Sequence, residues 1–200
     1  MMGFSSPFGG DDRHFDAYDE FVPENLPDPG PFLEPASVLS GEAHVAFHRA
    51  TRDVFEERTV YDMTFGYNLA RLNLDTRHPN AGYRYAEADG DDAVDGGDAA
   101  DGGDGTAEDA GDGAVLRAEF TPTTPFCPQS QTLAVGSFRA WNGLSDRHEY
   151  DLVRVRVHPM HHEAEAINRR LTELESAFRE TGVAPEGDDE PNGPGPTDET

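Results

Sequence analysis

Residues 115–141 read VLRAEFTPTTPFCPQSQTLAVGSFRAW, and the fold turns on how this stretch is divided. Its first part alternates, with Leu116, Ala118 and Phe120 apolar and Arg117, Glu119 and Thr121 polar, the period of a strand with one buried face. Its last part sets Ala134, Phe138 and Trp141 on one helical face, and Asn142-Gly143 supplies a stop. Pro125 and Pro128 between them remove backbone donors and fix φ. Pro128 suits the first helical position, running to about Trp141, which makes Cys127 the N-cap at the exit of a strand.

Cys127 is the chain's one cysteine. At an N-cap its thiol meets unpaired N–H groups and the positive end of the helix dipole, and both favour thiolate. A sulfur held that way suits a metal ligand or a nucleophile; the other reading is a small buried hydrophobe at a turn. One Cys forms no internal disulfide, which fits a reducing cytoplasm.

Upstream, Ala43, Phe47, Ala50 and Val54 recur at helical spacing between Ser40 and Arg58, with Ser40 as N-cap. Residues 60–75, VYDMTFGYNLARLNLD, read as a strand. Phe65, Tyr67 and Leu69 share one parity and Leu72 and Leu74 the other, which marks a bulge near Ala70 or Arg71. Downstream, Val153, Val155 and Val157 alternate with Arg154 and Arg156 in a third strand. Those arginines form either a solvated sheet face or a patch for an acidic partner. Ile167, Leu171, Leu174 and Phe178 then mark a last helix.

The expected fold class is α/β: a small two-layer α-β-β-α-β-α domain over 36–183. Its three-stranded sheet carries helices packed on one face, with an acidic loop, 87–113, inserted in the first hairpin. Such an insertion costs little, roughly 0.6 kcal/mol per doubling of loop length.

The net charge is −25, and all fifteen basic residues are Arg. The acid excess is concentrated in 1–35, 87–113 and 184–200, which leaves the remainder close to neutral. These three segments are too polar and Gly-rich to bury a core and are expected to be unstructured, although Phe4, Phe8, Phe15, Tyr18 and Phe21 give the first one docking side chains. Carboxylate-rich, lysine-free composition reads as dispersal in a cytoplasm of very high salt, or as an acidic docking tail. No basic stripe is present for nucleic acid. No apolar run approaches the roughly 20 residues of a membrane span, and the N-terminus lacks a secretory pattern.

His158, His161 and His162 lie at the last strand-to-helix transition, followed by Glu163 and Glu165. Two of these side chains beside Cys127 would make a mixed N/S metal site; otherwise they are surface histidines and the glutamates answer the helix dipole. HHEAE lacks the spacing of a zinc peptidase, and neither a nucleophile elbow nor a phosphate loop appears. A thiolate enzyme would need a base such as His161 brought beside Cys127, so the chain is not expected to be an enzyme. Asp62 reads as a functional carboxylate or a turn-former.

The run Thr121-Pro-Thr-Thr-Pro-Phe-Cys127, followed by the Val-alternating strand and HPMHHEAEAINRRL, resembles the MIP-eighteen-type family. That family includes targeting subunits of cytosolic iron–sulfur assembly, SufT proteins and PaaD proteins. His161, Asn168 and Leu171 match its C-terminal part, and Asp62, Met63 and Tyr67 its first strand, over about residues 45–180. The family's Asp-Pro-Glu turn has no counterpart in VFEERT, and Thr64 replaces a Gly. The resemblance implies a cytoplasmic accessory factor in iron–sulfur cluster assembly or delivery. Cys127 would be its functional residue, His161 a second ligand, and Asp62, Thr123 and Pro125 supporting positions. Its cofactor would be a transient iron–sulfur cluster or iron. Its partners would be client apo-proteins and cluster carriers, with a homodimer as one arrangement, because one Cys falls short of the four ligands a cluster takes. The alternative is a non-catalytic interaction adaptor in which Cys127 is structural.

Overall fold

The computed structural model describes residues 22–88 and 114–185. Their elements are β1 (Ser37–Val38), α1 (Gly41–Glu57), β2 (Tyr61–Asp62), β3 (Tyr67–Asn68), β4 (Gly82–Ala88), β5 (Val115–Thr121), α2 (Ser130–Gly143), β6 (Leu152–Val157) and α3 (Ala164–Thr181). The protein is mixed α/β, with a four-stranded sheet ordered β1-β4-β5-β6 and a separate β2–β3 ribbon. β4 runs antiparallel to β1 and β5, whereas β5 and β6 are parallel and joined through α2. Among the described residues no helix is long and apolar enough to cross a membrane.

The expected three-stranded sheet is corrected in two places. β1 adds an edge strand, and the partner of β5 is β4 rather than residues 60–75. Residues 60–75 instead form the β2–β3 ribbon, turning at Gly66 with φ +70°, and then a 3-10 segment from Leu69 to Leu74. The parity break expected to be a bulge is the entry to that segment. Asn68 opens it by accepting from the Ala70 N–H at 3.0 Å, and Leu69, Ala70, Leu72 and Leu74 are all buried, which no single strand face allows. The acidic block does separate the paired strands, since β4 ends at Ala88 and β5 begins at Val115; the rest of it lies outside the described residues, as does the tail after Pro185.

One core lies between the sheet and the helices. Tyr83, Tyr85, Leu116, Ala118, Phe120, Val153 and Val155 meet Phe47 and Phe55 of α1, Phe138 and Trp141 of α2, and Ile167 and Leu171 of α3. Trp141 is fully buried, its ring edge-on to Tyr83 at 5.0 Å, and its indole N–H donates to Thr51 Oγ1 at 3.2 Å. α3 ends where Gly182 adopts φ +68° and donates to Phe178 O at 2.7 Å.

Asparagine side chains finish the sheet edges. Asn142 of α2 accepts from the Val153 N–H and donates to its carbonyl, both at 2.9 Å. Asn168 of α3 does the same for Val157, and Asn73 for Tyr83. Each amide copies a neighbouring strand residue, so edge N–H and C=O groups do not wait for another chain. Replacing Asn142 by Ala strands both groups of buried Val153. It should cost about 1–3 kcal/mol, read as a lowered denaturant midpoint.

The second face of the sheet is polar but not solvated. Arg117 and Arg154 are cross-strand neighbours, both about 95% buried, and Arg84, Glu119 and Arg156 share their face. A strap formed by residues 28–36 covers them. Its Gly30 N–H donates to Glu119 Oε1 at 2.6 Å, its Phe32 carbonyl accepts from Arg117 at 2.7 Å, and its Leu33 is fully buried. The Phe32 ring lies 5.1 to 5.8 Å from the guanidiniums of Arg117, Arg154 and Arg156. Burial raises the Glu119 carboxyl above its ordinary value, against the Gly30 hydrogen bond. Residues 28–36 thus pack on this face, and Arg154 and Arg156 do not form a solvated one.

Candidate functional site

The parallel strands β5 and β6 release their chains at the same end of the sheet, the usual place for function in α/β folds. The loop after β5 carries Thr123, Pro125 and Cys127; the loop after β6 carries His158, His161 and His162. The β2–β3 turn joins them, because Gln129 Oε1 accepts from the Met63 N–H at 3.0 Å and its amide donates to Thr64 Oγ1.

α2 begins at Ser130 with Gln129 in the N-cap position, so Cys127 is not the N-cap. Pro128 instead enters a tight turn: the Ser130 N–H donates to Cys127 O at 3.2 Å, and the first helical bond runs from Leu133 N–H to Gln129 O at 2.8 Å. The carbonyl of Cys127, rather than its sulfur, receives the first turn's N–H. The residue is half-buried.

Two of the three histidines of the facing loop, His161 and His162, brace this corner. His161 is buried, and its Nε2 lies 3.1 Å from Cys127 O, which makes Nε2 the donor. Its Nδ1 then accepts from the Glu163 N–H at 3.2 Å. With both ring nitrogens committed to backbone, His161 positions Cys127 as placed and has no lone pair left for a metal. His162 donates through its backbone N–H and through Nδ1 to Pro125 O, at 3.0 and 2.8 Å. His158 Nδ1 accepts from Met160 N–H at 3.1 Å. Among the described residues no three His, Cys, Asp or Glu side chains gather to hold a metal ion.

The supporting residues have structural tasks. Asp62 is buried, and its Oδ1 accepts from Thr64 and Phe65 N–H at 2.7 and 3.2 Å, which shapes the β2–β3 turn. Thr123 is half-buried, and Pro125 presents its carbonyl to His162. Three apolar side chains around the corner were not anticipated from the sequence. Met63 is 80% exposed and Phe126 71%, and Met160 joins them at the same end. The Phe126 ring is 5.1 Å from that of His162. An aromatic residue between two prolines beside the only cysteine is the signal that marks this surface, since such a corner has no interior to bury it.

A family model described as a domain of unknown function matches residues 13–185. No curated protein and no solved structure matches the chain.

Proposed function

Because the chain belongs to the DUF7998 family, a domain of unknown function, we propose its role from the geometry: it is a cytoplasmic accessory factor in iron–sulfur cluster assembly or delivery. It docks on a carrier or a client apo-protein through the loop end of its sheet and lends the Cys127 sulfur as one ligand to the passing cluster. The supporting observation is the half-buried Cys127 on a doubly braced corner, with exposed Met63, Phe126 and Met160 on the loops and turn at the same end. Exposed apolar side chains beside a presented sulfur suit a partner surface. The likeness of Thr121–Cys127 to the MIP-eighteen-type motif supports the same reading.

The cluster is cargo here, because this chain supplies one cysteine and its nearest imidazole is committed elsewhere. The other ligands come from the partner, or from a second copy. The adaptor reading, with Cys127 purely structural, draws on the same commitment of His161.

The two readings separate in one experiment. Protein purified without oxygen and reconstituted with iron and sulfide in the presence of a cluster carrier is expected to show charge-transfer absorption that Cys127→Ala loses. If wild type and Cys127→Ala hold equal iron and give equal spectra, or both remain colourless, cluster handling through Cys127 is wrong. Retained capture of the same partners by Cys127→Ala would then support the adaptor.

A further inference from the structure

His162 differs from the other two histidines of the loop after β6 in how its ring nitrogens are used. Its Nδ1 lies 2.8 Å from Pro125 O, and a carbonyl only accepts, so Nδ1 carries the proton. In the neutral ring Nε2 is then a bare lone pair. His161 spends both nitrogens on backbone groups, and His158 spends its Nδ1 lone pair on the Met160 N–H. The Pro125 carbonyl also accepts the His162 backbone N–H at 3.0 Å, and the rings of Phe126 and His161 stand 5.1 and 4.8 Å from the imidazole. The ring is thus fixed in orientation while 47% of its side chain stays exposed.

We propose that His162 Nε2 and the Glu163 carboxylate form an open, two-point site for a divalent transition-metal ion of the zinc type. The inference needs neither a cluster nor Cys127. Glu163 Oε2 lies 3.7 Å from Nε2. An ion with tetrahedral bonds of about 2.1 Å sets its ligand atoms about 3.4 Å apart, so a small rotation of the exposed carboxylate closes the pair. Glu163 is the N-cap of α3, and its carbonyl accepts from the Ile167 N–H at 3.0 Å, yet its carboxylate makes no capping hydrogen bond. The backbone is anchored and the side chain is left to turn. A histidine that ligates a metal usually donates its other ring N–H to a carbonyl or carboxylate, which fixes the tautomer and makes the ligating nitrogen more basic. Pro125 O already does this for His162.

Two donors agree with the lack of any three-donor group among the described residues. The remaining positions hold water, which a docked protein's own side chain can replace. The positive end of the α3 dipole opposes a cation here, but weakly at so exposed a place, and Glu165 in the first turn offsets it. The donor types select the ion, since imidazole suits zinc, nickel and copper, whereas magnesium and calcium prefer oxygen alone.

The test reads His162 itself in the full chain, with excess Mg²⁺ present to occupy the other carboxylates. Zn²⁺ is titrated into protein carrying nitrogen-15 histidine, and the ring nitrogens are followed. The His162 Nε2 signal is expected to move from its unprotonated position to a metal-bound one, in wild type and in Cys127→Ser alike. Glu163→Gln should weaken that binding by about ten-fold or more. His162→Asn, whose amide can still donate to Pro125 O, should abolish it while the other amide signals stay in place. A His162 signal that Zn²⁺ leaves unmoved overturns the proposal, as does undiminished affinity in Glu163→Gln. A shift lost in Cys127→Ser would place the ion on the sulfur and overturn it as well.

Discussion

Moving the protein from pH 7 to pH 5 is expected to remove about 4 kcal/mol of folding stability through two buried histidines of α1. His44 and His48 stand one helical turn apart with stacked rings 5.8 Å between centroids, both essentially inaccessible to water. Burial comes first in lowering His44 to about 3, helped by His48 and Arg84. Burial also lowers His48 to about 4, with Arg52 adding to it and the Ala70 carbonyl, 2.8 Å from Nε2, acting against it. In the unfolded chain both titrate near 6.5, so between that value and the folded ones the unfolded state binds more protons. The stabilisation from keeping them neutral is therefore full above pH 6.5 and falls as pH drops towards 4 and then 3. At pH 5 each histidine contributes a loss of about 2 kcal/mol.

Protonation of carboxylates works the other way, by relieving self-repulsion in a chain of charge −25. Urea midpoints measured from pH 7.5 to 4.5 will show the loss. His44→Phe, which keeps the ring stack, should remove about 1.4 kcal/mol per pH unit from the slope. His48→Gln, able to keep the Tyr85 and Ala70 hydrogen bonds, should remove a similar amount. A slope unchanged in both variants would show that the acid response arises elsewhere.

The second large effect is expected at Glu175. Its carboxylate sits 2.8 Å from Arg154 Nε and 2.9 Å from Arg156 Nη2, with Arg179 at 3.2 Å, and its side chain is about 94% buried. Burial lowers the Arg156 guanidinium, and Glu175 is the main group opposing that shift. Glu175→Gln keeps the shape and removes the charge, leaving buried guanidiniums short of their shared counter-ion. A loss of about 3–5 kcal/mol is expected. Exposed pairs such as Arg170–Glu173 make a useful contrast, since Glu173→Gln should change stability by less than about 1 kcal/mol. Comparable losses in both variants would mean that burial is not what gives the Glu175 group its weight.

These two predictions fall on residues that hydrophobic patterning passes over. Leu116, Ala118 and Phe120, Val153 to Val157, and Ile167 to Phe178 were legible as β5, β6 and α3 because each element buries one face at its own period. β4 escaped notice although Tyr83 and Tyr85 alternate with Arg84, because it runs directly into the acidic block. His44-x-x-x-His48 was equally visible in sequence as a spacing, but nothing local says that both rings are sealed behind Tyr85 and the Leu69–Leu74 segment.

The candidate site divides in the same way. That Cys127 lies at a proline-stiffened corner between a strand and a helix follows from the run TPTTPFCP alone, since proline fixes its own backbone. The helix start at Ser130, the turn of His161 towards a backbone carbonyl, and the company of Met63 and Met160 were set by loops distant in the chain. By itself the sequence determined an α/β domain with a single cysteine at a stiffened strand-to-helix corner. Tertiary structure alone decided that residues 60–75 leave the sheet and that Arg117 and Arg154 are buried. Periodicity reports how many faces an element hides, whereas the partner that hides the second face is supplied by other segments.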